Sequence, residues 1–369
     1  MNQAKKVVVA FSGGVDSSMA VELLRRRGYA VSTVMFDHLG DKNSICAAQK
    51  IAKFLKVKLK IIDCRKEFKA LIIDNFFAQL SRGLTPNPCT ECNEKFKFGF
   101  FYDLLFSSPK YSTVYADHLF ATGHYASLIH LPPKTKNRKT RKHLFLAEAR
   151  DTVSDQSYFL YSISRDILSR VLFPLGKYLK TEIRQMAKKS QLANFAQKSS
   201  SDICFLRHKK FAKIIREKFS PKQGEFIDKS SDKVLGHHAG ALLYTVGQRK
   251  GLEIGGREGF LESPFYVVEK DLCKNIVYVS QNPKDLYATQ FVIKKCVFRV
   301  SDKDLLQSRN LKVKIRFRGK KHECQLEKKA HSQYLVRIPE KIFACAAGQY
   351  AVFYNKNICI GGGQIFLSN

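Results

Sequence analysis

Short β-branched runs alternate with amphipathic stretches through the first half of the chain. Val7–Phe11 is apolar, long enough for one buried strand and too short for a helix. Ser12-Gly13-Gly14 breaks that run, and Ser17-Ser18 opens a helical pattern that continues to Gly28. Ala30–Phe36 and Lys58–Asp63 read as further strands, with a helix over Ile45–Leu55 between them and another over Phe68–Arg82. Strand alternating with helix predicts a parallel sheet covered on both faces. In such sheets ligands bind outside the carboxyl ends of the strands.

The pattern then loosens. Pro86 and Pro88 hold Thr85–Cys89 extended, and a helix is expected from about Asn93. Leu119–Thr122 is another buried strand, ending in Gly123-His124-Tyr125. A strand pair, Ala126–His130 with Leu144–Ala147, should flank the basic, solvated loop Pro132–His143. Asp155-Gln156-Ser157 is positioned to cap a helix, and Leu179–Leu192 is helical throughout. From about Lys209 the character changes: Gly224–Gly256 is glycine-punctuated and β-rich. Beyond Tyr287 short strands predominate, at a spacing that suits a closed β-barrel. The fold class is therefore α/β: a doubly wound parallel sheet over 1–208, a small β-rich domain over 209–286 and a C-terminal β-barrel over 287–369.

Charge sharpens this picture. Among 369 residues, Lys and Arg number 64 against 32 Asp and Glu, leaving a net charge of +32. That excess exceeds what solubility requires and points to a polyanion, with nucleic acid the first candidate. No apolar run approaches the roughly 20 residues of a membrane span. Met1–Lys6 leads straight into the first strand, with no room for a signal peptide. Ten cysteines in a chain of this length do not make a disulfide scaffold, and reduced thiols in a cytoplasmic protein are expected.

Four features carry candidate chemistry. Strand, glycine turn and helix start over Val7–Ser18 are the parts that hold a phosphate; the alternative is an ordinary turn capped by Asp16 or Ser17. The loop lacks a GK[ST] ending and is not a Walker A loop. Cys89-x-x-Cys92 is open to three readings: a redox pair, half a metal site, or a nucleophile with a neighbour. No second CxxC follows, which argues against a four-cysteine zinc site. Cys92, expected near a helix start, is placed for a lowered thiol pKa. Cys204, between Ile203 and Phe205, fits a buried strand equally well, and His124 after its strand fits a structural role. Lys312–Arg318 alternates apolar residues with Lys312, Lys314, Arg316 and Arg318, so a strand with one cationic face is expected to meet phosphate.

SGGVDSS resembles the pyrophosphate loop of ATP-pyrophosphatases. With it, in order, stand TPNP-xxx-CN, ATGHYA, DQSYFL, SSDICF, GHHAGALLYTVGQRKGL-x-IGG and GQYAVFYN-x-x-ICIGGG. Together these resemble the tRNA-specific 2-thiouridylases, the MnmA family, over nearly the whole chain. The resemblance implies a tRNA-modifying sulfurtransferase with an ATP-pyrophosphatase-type sheet. ATP would adenylate O2 of the wobble uridine, releasing pyrophosphate and then AMP as sulfur enters. It implies ATP on Ala10, Phe11, Ser12, Gly13, Gly14, Val15, Asp16, Ser17, Phe36 and Gly123, with Mg²⁺ offsetting the triphosphate charge. Cys204 would receive a persulfide from a carrier protein or cysteine desulfurase, Cys92 would be the other catalytic thiol, and the two could form a transient disulfide. Asn87, Pro88 and Cys89 would line the target base, while His124, Ser154, Asp155, Gln156, Arg316, Phe317 and Gln349 would contact tRNA.

One departure stands out: many members carry Asp three residues before the nucleophile, where this chain has Cys89. Cys89, Cys92 and Cys204 could then hold a [4Fe–4S] cluster with one open iron, as an alternative to the persulfide relay. The basic loop also looks longer than the family's usual hairpin. Two rival classes remain: another ATP-pyrophosphatase, such as an amide ligase or lysidine-type synthetase, needs neither Cys92 nor Cys204. A non-catalytic RNA-binding protein needs no intact SGGVDSS.

Overall fold

The computed structural model describes residues 4–131, 143–196, 203–206, 211–254 and 263–367. Most of the basic loop Pro132–His143, residues 200–202 of the SSDICF motif and Gly255-Gly256 lie outside these. The chain opens with β1 (Lys6–Ala10), α1 (Val15–Arg26), β2 (Ala30–Asp37), α2 (Lys42–Phe54) and β3 (Leu59–Asp63). The single helix expected over Phe68–Arg82 is broken into α3 (Arg65–Phe68), a π-helical stretch at Lys69–Asp74 and α4 (Asn75–Leu80). Then come α5 (Pro88–Glu91), a second π-helical stretch at Cys92–Phe100, α6 (Phe101–Phe106), α7 (Pro109–Tyr115) and β4 (Leu119–Thr122). Pro88 does not prolong the extended segment: it occupies the first helical position, where its missing N–H costs nothing, and Asn87 caps the turn by accepting from Thr90 N.

Next are β5 (Ser127–Leu131), β6 (His143–Ala147), α8 (Arg165–Leu168), β7 (Val171–Leu172) and α9 (Lys180–Lys189). The parallel sheet has the order β3-β2-β1-β4-β7. Successive residues of β1 serve opposite faces. Val8 belongs to the core with Phe68, Phe96, Phe101 and Phe120, whereas Val7 and Val9 pack with Met19, Ile51 and Ile183. All three valines are fully buried, each contributing about 1.5–3 kcal/mol.

After α10 (Phe211–Phe219) a four-stranded sheet forms from β8 (Gly224–Asp228), β9 (Val234–His238), β10 (Tyr266–Asp271) and β11 (Ile276–Ser280), in the order β10-β11-β8-β9. The C-terminal β-barrel is built from β12 (Tyr287–Phe298), β13 (Leu311–Lys314), β14 (His322–Glu323), β15 (Gln325–Ala330), β16 (Gln333–Phe343), β17 (Tyr350–Asn355) and β18 (Ile358–Phe366). The hairpin β5–β6 forms as predicted, but β6 then pairs with β18 and so joins the barrel's sheet. First and last domains consequently share one core, in which Val352, Tyr354 and Cys359 lie with Phe96 and Tyr158. Buried Arg299 reinforces the join, donating to the carbonyls of Leu160, Ile163 and Cys359.

Candidate active site and RNA-facing surface

At the carboxyl end of β1 the chain turns through Phe11-Ser12-Gly13-Gly14 into α1. Gly13 has φ of 74°, and a Cβ there would stand 2.6 Å from Ala48 Cα, so only glycine fits. No side chain caps α1. The capped-turn alternative therefore fails, and the first-turn N–H groups have no capping side chain. Ser17 Oγ instead donates back to Gly14 O at 3.0 Å and accepts from Ser12 N at 3.3 Å, which fixes the loop's shape. Gly123, after β4, presses on the start of α1: a Cβ would lie 2.9 Å from Asp16 C and Ser17 N. Val15 is buried beneath the loop.

Three residues that the sequence patterns did not single out complete this corner. The Tyr125 hydroxyl donates to Asp16 Oδ1 at 3.0 Å, and Lys180 Nζ reaches Asp16 Oδ2 at 3.4 Å while lying 5.1 Å from the Tyr125 ring centroid. Asn194 donates to Gly13 O at 2.7 Å, and its Oδ1 has no partner among the described residues. A lysine in the motif LKTEIRQMA and an aromatic in ATGHYA were visible, but only the fold shows that both meet Asp16.

The cysteine-bearing stretch lies against the same end of the sheet. Phe36, near the end of β2, contacts Phe96 and Phe101 with ring centroids 5.3 and 5.1 Å apart. Ala10, Phe36, Cys92, Cys204 and Phe205 all pack, partly buried, against the same large core. The His124 ring lies 6.1 Å from Phe98. Cys204 opens a short 3₁₀ turn, Cys204–Leu206, and is half-buried rather than part of a strand. Phe205 seats that turn edge-on against Phe68 and Phe76, at 6.3 and 5.3 Å.

Cys92 corrects the expectation of a low thiol pKa. The helix begins four residues earlier, at Pro88, so Cys92 is not at the helix start. Burial pushes its thiol up to about 12; Lys97 opposes the rise, and Cys204 and Cys89 each add to it. That mutual influence places the three sulfurs in one neighbourhood. Burial raises the Cys89 thiol as well, again opposed by Lys97. His124 is pushed well below the usual imidazole range by burial and by Lys97, and its Nδ1 is 2.8 Å from Thr122 Oγ1. It is therefore a neutral hydrogen-bonding group rather than a cation. Among the described residues no three His, Cys, Asp or Glu side chains converge as a metal site. Cys89, Cys92 and Cys204 are accordingly not gathered as a [4Fe–4S] cluster ligand set in this structure.

The cationic strand face also needs correction. β13 ends at Lys314, and Ile315–Arg318 form a turn. Lys314 is buried, 3.2 Å from Glu148 and 4.0 Å from Asp155, and its ammonium lies over Tyr354. Lys312 pairs with Glu323 at 3.7 Å. Arg316 and Arg318 remain exposed, on either side of Phe317. Phe317 packs on Phe159 at 4.4 Å and on Tyr158 at 6.4 Å. DQSYFL and this turn, distant in sequence, thus form one aromatic and basic patch suited to stacking and phosphate contact.

Asp155 is not part of that surface. It is 3% exposed and accepts from Ala149 N and from Ser157 N and Oγ, so it shapes the loop instead of meeting tRNA. Gln156 Oε1 accepts from Tyr125 N at 3.0 Å, and half-buried Ser154 is held through its N–H by Asp151. Gln349 donates to Thr85 O at 2.8 Å, two residues before Asn87.

A glycine loop at an uncapped helix start, thiols that influence one another and an exposed basic turn suit a nucleotide-using enzyme of a polyanionic substrate. Residues 5–208 match the tRNA methyl transferase HUP domain, 212–281 the tRNA methyl transferase PRC-barrel domain, and 288–365 the aminomethyltransferase beta-barrel domain. A tRNA-specific 2-thiouridylase MnmA of Legionella pneumophila is 34% identical, with 98% of each chain covered. Proteins of the same name from Histophilus somni and Mycoplasmopsis synoviae are 34% identical over 99% of this chain and 94% and 96% of theirs. The chain belongs to this MnmA family of tRNA-specific 2-thiouridylases. A solved 4-thiouridine synthetase–RNA complex with bound ATP covers 54% of this chain and 44% of its own, at 17% identity and a TM-score of 0.34, too slight a likeness to carry any argument.

Proposed function

We propose that this chain is an ATP-dependent sulfurtransferase that converts the wobble uridine of tRNA to 2-thiouridine. The observation that carries the reading is an uncapped phosphate-type loop at the end of β1 in a chain where two thiols from segments far apart in sequence influence one another. ATP would lie with its phosphates on Ser12–Ser17 and its nucleoside between Ala10, Phe36 and Gly123. Mg²⁺ suits this site chemically: it takes hard oxygen ligands, chiefly phosphate and water, and Asp16 is the loop's carboxylate. Bound there, it offsets phosphate charge.

The chemistry divides into three displacements. Uridine O2 attacks the α-phosphorus of ATP, and pyrophosphate leaves. The terminal sulfur of a Cys204 persulfide then attacks C2 of the adenylated base, and AMP leaves. Cys92 attacks the inner sulfur of Cys204, so the S–S bond to the transferred sulfur breaks and a Cys92–Cys204 disulfide forms. The transferred sulfur gains two electrons, which the cysteine pair supplies. Asn87, Pro88 and Cys89 would line the base, beside Gln349. His124, Ser154, Gln156, Arg316 and Phe317 would meet the tRNA. A persulfide carrier or cysteine desulfurase would load Cys204, and ten free thiols suit a cytoplasmic protein.

The family-model names carry the word methyl transferase, yet methyl transfer needs neither the phosphate loop nor the thiol pair. Loss of 2-thiouridine from the tRNA of cells lacking this chain, restored by its expression, is the expected result. Unaltered 2-thiouridine would overturn the reading.

A further inference from the structure

Glu91, the residue before Cys92, is 3% exposed, and both its oxygens are occupied. Its Oε1 accepts from Gln79 Nε2 and from the Tyr350 hydroxyl, the latter at 3.1 Å. Its Oε2 accepts from Asn75 Nδ2 and, at 3.1 Å, from Lys95 Nζ. Asn75 and Gln79 belong to α4, Lys95 to the cysteine stretch itself, and Tyr350 to the first position of β17. Gln79 Oε1 in turn accepts from Gln364 Nε2 of β18 at 2.8 Å, a second tie to the barrel. Four donors converge on one side chain. Only an ionised carboxylate accepts on both oxygens; an amide would turn an N–H toward two of the donors, and an apolar residue would strand all four.

The same edge of the barrel grips the other end of this segment. Thr85 N donates to Ala347 O at 2.8 Å, and Gln349 Nε2 donates to Thr85 O at 2.8 Å. The Tyr350 carbonyl is itself fixed by the Tyr158 hydroxyl at 2.8 Å. Residues 347–350 therefore hold Thr85 at one end and Glu91 at the other, with Asn87, Pro88 and Cys89 between and Cys92 next in line. On the barrel side β17 pairs with β13, which runs directly into the exposed Arg316–Arg318 turn. Arg316 and Tyr350 thus each lie two residues past the last pair of one strand pairing, Lys314 with Val352, and Tyr350 bonds the residue next to the cysteine.

We propose that Glu91 is a positioning residue for the Cys92 thiol, and that its bond from Tyr350 makes that position depend on how the C-terminal barrel is seated on tRNA. The inference rests on Cys92 being a reacting thiol. Engagement of the Arg316–Arg318 turn is thereby coupled to placement of sulfur chemistry at the base, so that a thiol presents itself only to seated substrate.

The test uses the full chain with its tRNA, loaded with persulfide, and the variants Tyr350→Phe and Glu91→Gln. Tyr350→Phe removes one hydroxyl from a charged acceptor and should slow single-turnover thiolation by about tenfold or more. Its tRNA affinity and its ATP-dependent tRNA adenylation should stay near wild type. Alkylation of Cys92, followed by peptide mass spectrometry with and without tRNA, gives a readout that a purely structural bond leaves alone. Wild type should show a tRNA-dependent change in rate, and Tyr350→Phe should abolish it. Glu91→Gln should act in the same direction and further; should it not fold, Tyr350→Phe decides alone. A wild-type single-turnover rate in Tyr350→Phe, a loss confined to tRNA affinity, or an unchanged tRNA effect on alkylation would each overturn the proposal. Thiolation by Cys92→Ser would instead overturn the catalytic reading beneath it.

Discussion

Lys97 stands five residues beyond Cys92 on a π-helical stretch, and its charge bears on Cys92, Cys89 and His124 together. In a π-helix the residue five positions on is the hydrogen-bonded neighbour one turn away. An α-helix would swing it well off that face. Gly99 allows the widened turn, for a Cβ there would lie 2.8 Å from Glu94 O. Lys97 is thus the cation that opposes burial at both thiols. Replacing it with Met removes that opposition and should slow both Cys92 alkylation and tRNA thiolation, with Lys97→Arg recovering part. Equal alkylation rates in Lys97→Met and wild type would show that the charge does not reach the sulfur.

The raised Cys92 thiol dictates the sign of the pH response. The thiolate attacks, and a group titrating near 12 is almost wholly protonated at neutral pH. Where attack by Cys92 limits the rate, thiolation should climb about tenfold per pH unit through neutrality and not level off before about pH 9. A plateau near neutral pH would mean that the thiol is deprotonated in the working complex.

At the other end of the site, Lys180 and Asp16 make a prediction about nucleotide choice. Lys180 sits beside the loop proposed to hold phosphate and already pairs with its carboxylate. Lys180→Met should weaken ATP and pyrophosphate binding by about 10- to 100-fold and leave AMP binding nearly unchanged, since one lost charge-assisted contact is worth about 1.5–3 kcal/mol. Equal losses for AMP and ATP would place Lys180 in the scaffold.

Gly123 tests the same corner by shape. Its substitution by Ala forces a methyl into the Asp16–Ser17 backbone, which should cut ATP affinity while tRNA affinity holds. Isothermal titration with each ligand separates the two, and full ATP affinity in Gly123→Ala would dissociate the glycine from the nucleotide site.

Buried Lys314 should behave differently from exposed Arg316 and Arg318. Neutralising Arg316 and Arg318 should lower the salt dependence of tRNA binding by about one per lost phosphate contact. Lys314→Met should leave that slope unchanged and instead cost about 3 kcal/mol of stability, because Glu148 and Asp155 lose a buried partner. A fall in salt slope for Lys314→Met would mean that the lysine leaves its carboxylates for RNA.

Local pattern was enough to read the parallel sheet, its glycine loop and the hairpin after β4, because each is written in a few consecutive residues. Lys314 and Asp155 were misread for a common reason. Alternation and capping motifs describe one segment, whereas these two side chains are buried by each other and by Glu148, across segments. Cys92 was misread because a proline that blocks a helix interior is welcome at its first position, which moved the helix start from Asn93 to Pro88. The π-helical register that gives Lys97 its place has no signature in apolar spacing. Tyr125, Lys180 and Asn194 needed the fold, since each meets the loop only through tertiary contact.

The most direct measurement is a single turnover of persulfide-loaded enzyme on tRNA, with 2-thiouridine and the Cys92–Cys204 disulfide counted in the same sample by mass spectrometry. The relay predicts one disulfide for each 2-thiouridine formed, and none of either in Cys92→Ser or Cys204→Ser, although both variants still adenylate tRNA. Thiolation at wild-type yield without the disulfide, or with either cysteine replaced, would contradict the account.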